Sequence, residues 1–260
     1  MNEIQALILG ILQGLTEFLP ISSSGHLEIG NAVLGVQSAN NLIFAVVVHV
    51  ATVLSTLVVF RKDIIILLTD FFSFQWNEST KYILMLLFSA IPVLIIGLFF
   101  KDRVESFFTG NLVLVGSMLL ITSGLLTLAH FAKKGSNQMT WGRAFIIGVA
   151  QALAVLPGIS RSGATIATGI MLGSKRDEVA RFSFLMVLVP ILGAAVLNLL
   201  SGDFSEDNSI GIIPLLIGFV SAFLSGLLAC SLMIRMVKKR KLIYFAIYCL
   251  IVGIIAIFAA

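Results

Sequence analysis

The chain has 260 residues, 58% of them hydrophobic and 12% charged, with a formal net charge of +4. Soluble domains carry about 25% charged residues. Half that share argues against a water-exposed globule and for a single lipid-embedded domain over residues 1–260.

Residues 4–36 come first: an apolar helix, a polar break at Pro20-Ile-Ser-Ser-Ser-Gly25, then a short apolar helix. Each arm is about 12–16 residues, short of the roughly 20 that a helix needs to cross a bilayer. The stretch therefore reads as a re-entrant hairpin. Irregular backbone at that depth is tolerated only inside protein or beside a water-filled cavity. No Lys or Arg precedes Arg61, and a secretory leader needs a positive start, so the segment is expected to be mature structure. Apolar spans follow at 42–60, 82–100 and 111–131. Residues 141–173 repeat the hairpin pattern around Pro157-Gly-Ile-Ser-Arg-Ser-Gly163, and spans at 182–200, 211–234 and 242–259 complete the chain. Pro92, Pro190 and Pro214 fall within or near spans, which membrane helices tolerate. Cys230 and Cys249 lie in apolar runs and read as small core residues. The predicted fold is all-α integral membrane: about six transmembrane helices plus two re-entrant helical hairpins.

Charge orients this arrangement. The connections near 61–81, 132–143, 173–181 and 235–241 fall on one side and hold fourteen Lys and Arg. The other side receives 101–110 and 201–210, with only Lys101 and Arg103, and with Asp203, Glu206 and Asp207. By the positive-inside rule the first side is cytoplasmic and both termini lie outside the cytoplasm. Treating either hairpin as a full crossing would scramble the sides and erase the bias.

The two breaks align without gaps at an offset of 138 residues. Gly10 meets Gly148, Gln13 meets Gln151, Ile21-Ser-Ser-Ser-Gly25 meets Ile159-Ser-Arg-Ser-Gly163, and Phe44 meets Phe182. Each unit is a hairpin plus three spans, and three crossings reverse the side. The chain thus reads as two inverted-topology repeats, about 1–135 and 139–260. Such repeats place a ligand site near the midplane, at broken helices in corresponding positions.

The chemistry gathers at those breaks. Glu17 is a carboxylate in an apolar segment, which is costly unless it faces a partner or water, and Gln13 lies one turn before it on the same helix face. Ser22, Ser23 and Ser24 precede a helix and can cap it, but three serines followed by His26 exceed what capping needs. His26 can act as general acid, general base or phosphate donor. His49 and His130 have no such neighbours and read as structural. Every other Lys and Arg falls in a connection or at a helix end, whereas Arg161 sits inside a break between Ser160 and Ser162. Arginine suits bidentate contact with phosphate. Gly158 and Gly163 let the chain turn into a helix whose N–H groups favour an anion, with Thr165 in its first turn. The plain alternative for Arg161 is an ion pair with Glu17 that ties the halves together. An anion site in a lipid-facing bundle points to a polyprenyl phosphate. Water would attack a phosphoryl group while Arg161 and the helix ends stabilise the developing charge.

Gln13-Gly-Leu-Thr-Glu17-Phe-Leu-Pro-Ile-Ser-Ser-Ser-Gly-His26 resembles the first signature of the bacitracin-resistance type of undecaprenyl-diphosphate phosphatase, (E/Q)xxxE followed by PxSSxGH. Pro157-Gly-Ile-Ser160-Arg161-Ser162-Gly-Ala-Thr165 resembles the second, PGxSRSxxT. The likeness extends over the whole chain. It implies a hydrolase of the bacterial plasma (inner) membrane that converts undecaprenyl diphosphate to undecaprenyl phosphate and inorganic phosphate, recycling the carrier of peptidoglycan synthesis and conferring bacitracin resistance. It also implies a divalent cation, Mg2+ or Ca2+, and a pocket open to the outside. On this resemblance Glu17 and Gln13 occupy the metal or base position. Ser23, His26 and Arg161 contact or attack the diphosphate, and Ser22, Ser24, Ser160, Ser162, Gly163 and Thr165 bind or support it. The nucleophile is left open among a serine, the histidine and a water. Many family members have glutamate at the Gln13 position, and with one carboxylate the ion would lean on phosphate oxygens. The expected partners are the polyprenyl diphosphate and the membrane, with no nucleic acid; a homodimer is left open. The rival function is a flippase or transporter of polyprenyl phosphates, which the inverted repeat also suits.

Overall fold

A computed structural model describes residues 1–36, 42–107, 110–133, 135–191, 193 and 210–260. The described chain is helical, and its one β-type pairing is an isolated bridge between Asn137 and Ser174. In order the helices are α1 (Glu3–Phe18), α2 (Ser23–Leu34), α3 (Leu42–Val59), α4 (Arg61–Phe71), α5 (Glu78–Phe99) and α6 (Lys101–Glu105). Then come α7 (Leu112–Phe131), α8 (Trp141–Leu153), α9 (Arg161–Met171), α10 (Arg176–Met186), α11 (Ile212–Lys238) and α12 (Leu242–Phe258).

Local chemistry starts these helices where polar residues meet apolar runs. Asn2 and Gln5 form a reciprocal capping box at α1, both bonds at 2.8 Å, which satisfies N–H groups that no helical carbonyl reaches. Asn77 accepts from Thr80 N at 2.8 Å at the start of α5, and Asn111 from Leu114 N at 3.0 Å at the start of α7.

Among the described residues α5, α7 and α11 are long and apolar enough to cross a membrane. A fourth candidate is α3 with α4, bent by 77° at Phe60. The expected span at 42–60 thus ends at the bend, and part of the 61–81 connection is helix. The 17-residue apolar α12 falls just below spanning length. Of the span expected at 182–200, positions 192 and 194–200 lie outside the described residues, as does the 201–209 connection. Large apolar side chains cover the outside of the bundle: Leu98 is 64% exposed, Leu228 73% and Ile255 60%. A surface of that kind suits lipid, since soluble proteins rarely expose broad apolar patches. These features describe a membrane protein with several apolar helices.

The first arm of each hairpin packs chiefly on a helix far from it in sequence. α1 lies along α11, and α8 lies along α5. Lipid offers no hydrophobic drive between helices, so close approach and interhelical hydrogen bonds do the joining. A Cβ at Gly14 would run into Ser225 Oγ and the Ala222 carbonyl on α11, and one at Gly148 into the Ser89 carbonyl on α5. Ser55 Oγ donates to Phe223 O at 2.8 Å, and Ser123 Oγ to Ala246 O at 2.7 Å. Gly14→Ala is therefore expected to force α1 from α11 and destabilise by about 1–3 kcal/mol, the usual range for overpacking. Gly97→Ala meets nothing within 4 Å and should leave stability unchanged or raised. Thermal melting in detergent compares the two; equal melting would refute the close-packed α1–α11 seam.

Candidate active site

Both breaks are built alike. Ser22 Oγ accepts from Gly25 N at 3.3 Å and Ser160 Oγ from Gly163 N at 3.0 Å, so each serine caps the helix after it. Each also pairs with the serine two places on, Ser22 with Ser24 and Ser160 with Ser162, at 3.3 Å in both cases. The breaks touch: a Cβ on Gly25 would stand 3.0 Å from the Gly158 Cα. Gly158 has φ +96°, a conformation that favours glycine. Ser22 holds φ +70° without being glycine, a conformation costing about 1–3 kcal/mol that persists where its surroundings enforce it.

The residue between the paired serines is Ser23 in one break and Arg161 in the other, and both reach Glu17. Ser23 Oγ donates to Glu17 Oε2 at 2.6 Å, and Arg161 Nη2 pairs with Oε1. Gln13 Nε2 donates to Oε2 at 3.0 Å from one turn earlier on α1. Glu17 is 8% exposed, and a buried charge persists where it is paired and hydrogen-bonded, as here. Glu17, Ser23 and Arg161 stand on the wall of a cavity of about 320 Å³, lined among others by Ser24, Ser160, Ser162, Val155 and Pro190, while Gln13 lies behind it.

Other expected site residues lie off this wall. His26 donates from Nδ1 to Ser22 O at 2.8 Å, so its Nε2 accepts from Tyr248 Oη at 2.8 Å, with the rings stacked 5.5 Å apart. Both ring nitrogens are engaged, and His26 is not among the cavity-lining side chains. The expected acid–base histidine thus pins the first break to α12. Ser22 is likewise off the wall, and Thr165 turns to Arg161 O at 2.9 Å and to Ser183 Oγ at 2.5 Å, bracing the start of α9.

Two residues stand at the site without having been singled out. His49, read from sequence as structural, has Nε2 3.8 Å from Glu17 Oε2 and lines the cavity. Its Nδ1 donates to Ala45 O at 2.7 Å, which leaves the Nε2 lone pair facing the cavity in the neutral ring. An imidazole midway along an apolar span was the available signal. Gln151, noted only as the mate of Gln13, also lines the cavity, and neither atom of its amide has a hydrogen-bond partner. Thr122 was missed too: it accepts from Ser160 N at 3.0 Å and fastens the second break to α7.

A cage of carboxylates for a cation does not form, since no group of three His, Cys, Asp or Glu side chains gathers among the described residues. Oxygen ligands do stand near Glu17, however, with His49 Nε2 3.8 Å from its Oε2. Gln13 Oε1 is buried with no partner, and Ser23 Oγ adjoins Glu17. A hard divalent ion held by one carboxylate and a carbonyl, with its remaining ligands from phosphate and water, fits that set.

A sequence profile for the family described as bacitracin resistance protein BacA matches residues 6–255. A protein named undecaprenyl-diphosphatase from Bacteroides fragilis is 52% identical over 99% of this chain and 98% of its own length. One of the same name from Parabacteroides distasonis is 53% identical over the same shares. Another, from Carboxydothermus hydrogenoformans, is 40% identical over 98% of this chain and 96% of its own length.

Proposed function

The chain belongs to the bacitracin resistance protein BacA family, and from that membership and the site we infer that it is an undecaprenyl-diphosphatase. It hydrolyses undecaprenyl diphosphate to undecaprenyl phosphate and inorganic phosphate. The observation that carries the reading is the meeting of Ser23 and Arg161, one from each break, on the buried Glu17 at a cavity wall.

The diphosphate head enters the cavity while its apolar tail stays among the lipid-facing helices. Arg161 offers five N–H donors, of which Nη2 is on Glu17; the others face phosphate oxygens as negative charge builds. The N-terminal ends of α2 and α9 add positive potential at the same place. Ser23 is the candidate nucleophile both on the wall and hydrogen-bonded to a carboxylate. Its oxygen attacks the terminal phosphorus, its proton passes to Glu17, and the bond to the undecaprenyl phosphate oxygen breaks. Water then cleaves the phosphoserine, completing hydrolysis and freeing Ser23. Glu17, Gln13 Oε1 and Ser23 would hold a divalent cation, Mg2+ or Ca2+. When bound, the ion neutralises phosphate charge and polarises the P–O bonds. His26 supports the first break through Tyr248, and Ser22, Ser160, Gly163 and Thr165 shape the two helix starts.

The protein sits in the bacterial inner membrane with six spans, two re-entrant hairpins and both termini outside the cytoplasm. The fourteen-to-two bias of Lys and Arg supports that orientation. The packing of α1 on α11 and of α8 on α5 supports two inverted repeats, because at the offset of 138 residues the two pairs are equivalent.

Detergent-purified protein is expected to release inorganic phosphate from undecaprenyl diphosphate, to lose at least 90% of that activity in excess EDTA, and to carry transient label on Ser23 after acid quench. Release without such label would leave water as the direct nucleophile. Folded protein that binds the lipid phosphate but releases nothing would replace the enzyme reading with transport.

A further inference from the structure

We propose that Gln151 is a substrate-binding residue whose side-chain amide donates to a phosphate oxygen of the lipid head group. Gln151 stands on α8, is 2% exposed and lines the same cavity as Glu17, Ser23 and Arg161. Neither Nε2 nor Oε1 has a hydrogen-bond partner. A buried amide left unpaired is costly and uncommon, most of all in a bundle surrounded by lipid. Structural glutamines satisfy themselves within the protein, whereas this one lines the cavity with its buried donor and acceptor both unpaired.

Its counterpart at the 138-residue offset is Gln13, and the two amides have different tasks. Gln13 spends Nε2 on Glu17 at 3.0 Å and so orients the carboxylate. At the position equivalent to Glu17 the second unit has Val155, so Gln151 has no carboxylate one turn along to hold. What remains beside it is the cavity. A phosphate group matches a free amide, since its oxygens accept from Nε2 and its protonated form donates to Oε1. The amide adds no charge, so it can grip phosphate without competing with Arg161 for Glu17.

The identity of the substrate rests on the diphosphatase reading; the grip on a lipid phosphate does not. The test compares wild type with Gln151→Leu and Gln151→Met. It measures kcat and KM for undecaprenyl diphosphate, equilibrium binding of undecaprenyl phosphate, and thermal melting in the same detergent. Both variants are expected to lose about 10- to 100-fold in kcat/KM and in lipid-phosphate binding, the range for one hydrogen bond to a charged group. Their melting temperatures should equal or exceed that of wild type, because an unpaired buried amide has been removed. Variants that melt lower while keeping wild-type KM and binding would make the amide structural and overturn the proposal. So would kcat/KM and binding within twofold of wild type. A wild type that hydrolyses nothing would overturn the enzyme reading alone; weakened lipid-phosphate binding in both variants would then still uphold Gln151, and equal binding would refute it.

Discussion

Arg161→Ala is expected to lower inorganic phosphate release from undecaprenyl diphosphate by about a thousandfold or more. Losing one preorganised donor at a developing oxyanion costs about 10²–10³ in rate, and arginines that neutralise a phosphoryl transition state contribute about 10³–10⁵. Arg161 combines both roles, and it also pairs with Glu17 across the two breaks. Truncation leaves that carboxylate buried without its guanidinium, which destabilises by about 3–5 kcal/mol. Arg161→Lys separates the effects. It retains the positive charge near Glu17 but not the planar fork that grips phosphate at two oxygens. Its folding should approach wild type while turnover stays at least tenfold down. Turnover of Arg161→Ala within tenfold of wild type would remove the phosphate-clamp role.

Glu17→Gln is the second large effect, expected to reduce turnover by about 10²–10⁴, the usual contribution of a positioned general base. The substitution is nearly isosteric and an amide oxygen still accepts from Ser23 Oγ, but the Arg161 guanidinium loses its counter-charge, so stability should fall by about 3–5 kcal/mol as well. The charge that takes the serine proton is gone. Residual activity should no longer rise with added Mg2+ or Ca2+, because the carboxylate of the proposed cation site is lost. Phosphate release titrated against each cation, for wild type and variant together, reads both claims. Full activity in Glu17→Gln would exclude Glu17 as base and as cation ligand.

Much of this arrangement was legible before any coordinates. Pro20 and Pro157, the paired serines and Gly25 and Gly163 mark where helices stop and restart, because those residues act on the backbone locally. The same locality placed Gln13 and Glu17 on one face and put Ser23 and Arg161 at equivalent positions. What stayed hidden depends on neighbours far along the chain. His26 carries every local sign of a catalytic histidine, yet Tyr248, 222 residues away, occupies its Nε2. His49 had no telling neighbours in sequence and gains its place from the packing that sets it 3.8 Å from Glu17. The 77° bend between α3 and α4 falls where the expected span ends, but Arg61-Lys62-Asp63 read as the start of a connection, so the helix that continues from them was missed.

The pairing of α1 with α11 also imposes a timetable on synthesis. The partner of the first hairpin begins at Ile212, and the guanidinium that answers Glu17 emerges 144 residues after it. A ribosome adds about 5–20 residues per second, so the glycine face of α1 waits roughly 10–40 s for the helix it packs on. During that interval its carboxylate has no place in the hydrocarbon core. The first hairpin is therefore expected to stay at the insertion machinery or the membrane surface until the second half of the chain arrives. A ribosome stalled before α11 would leave the first hairpin without its packing partner, a target for membrane quality control.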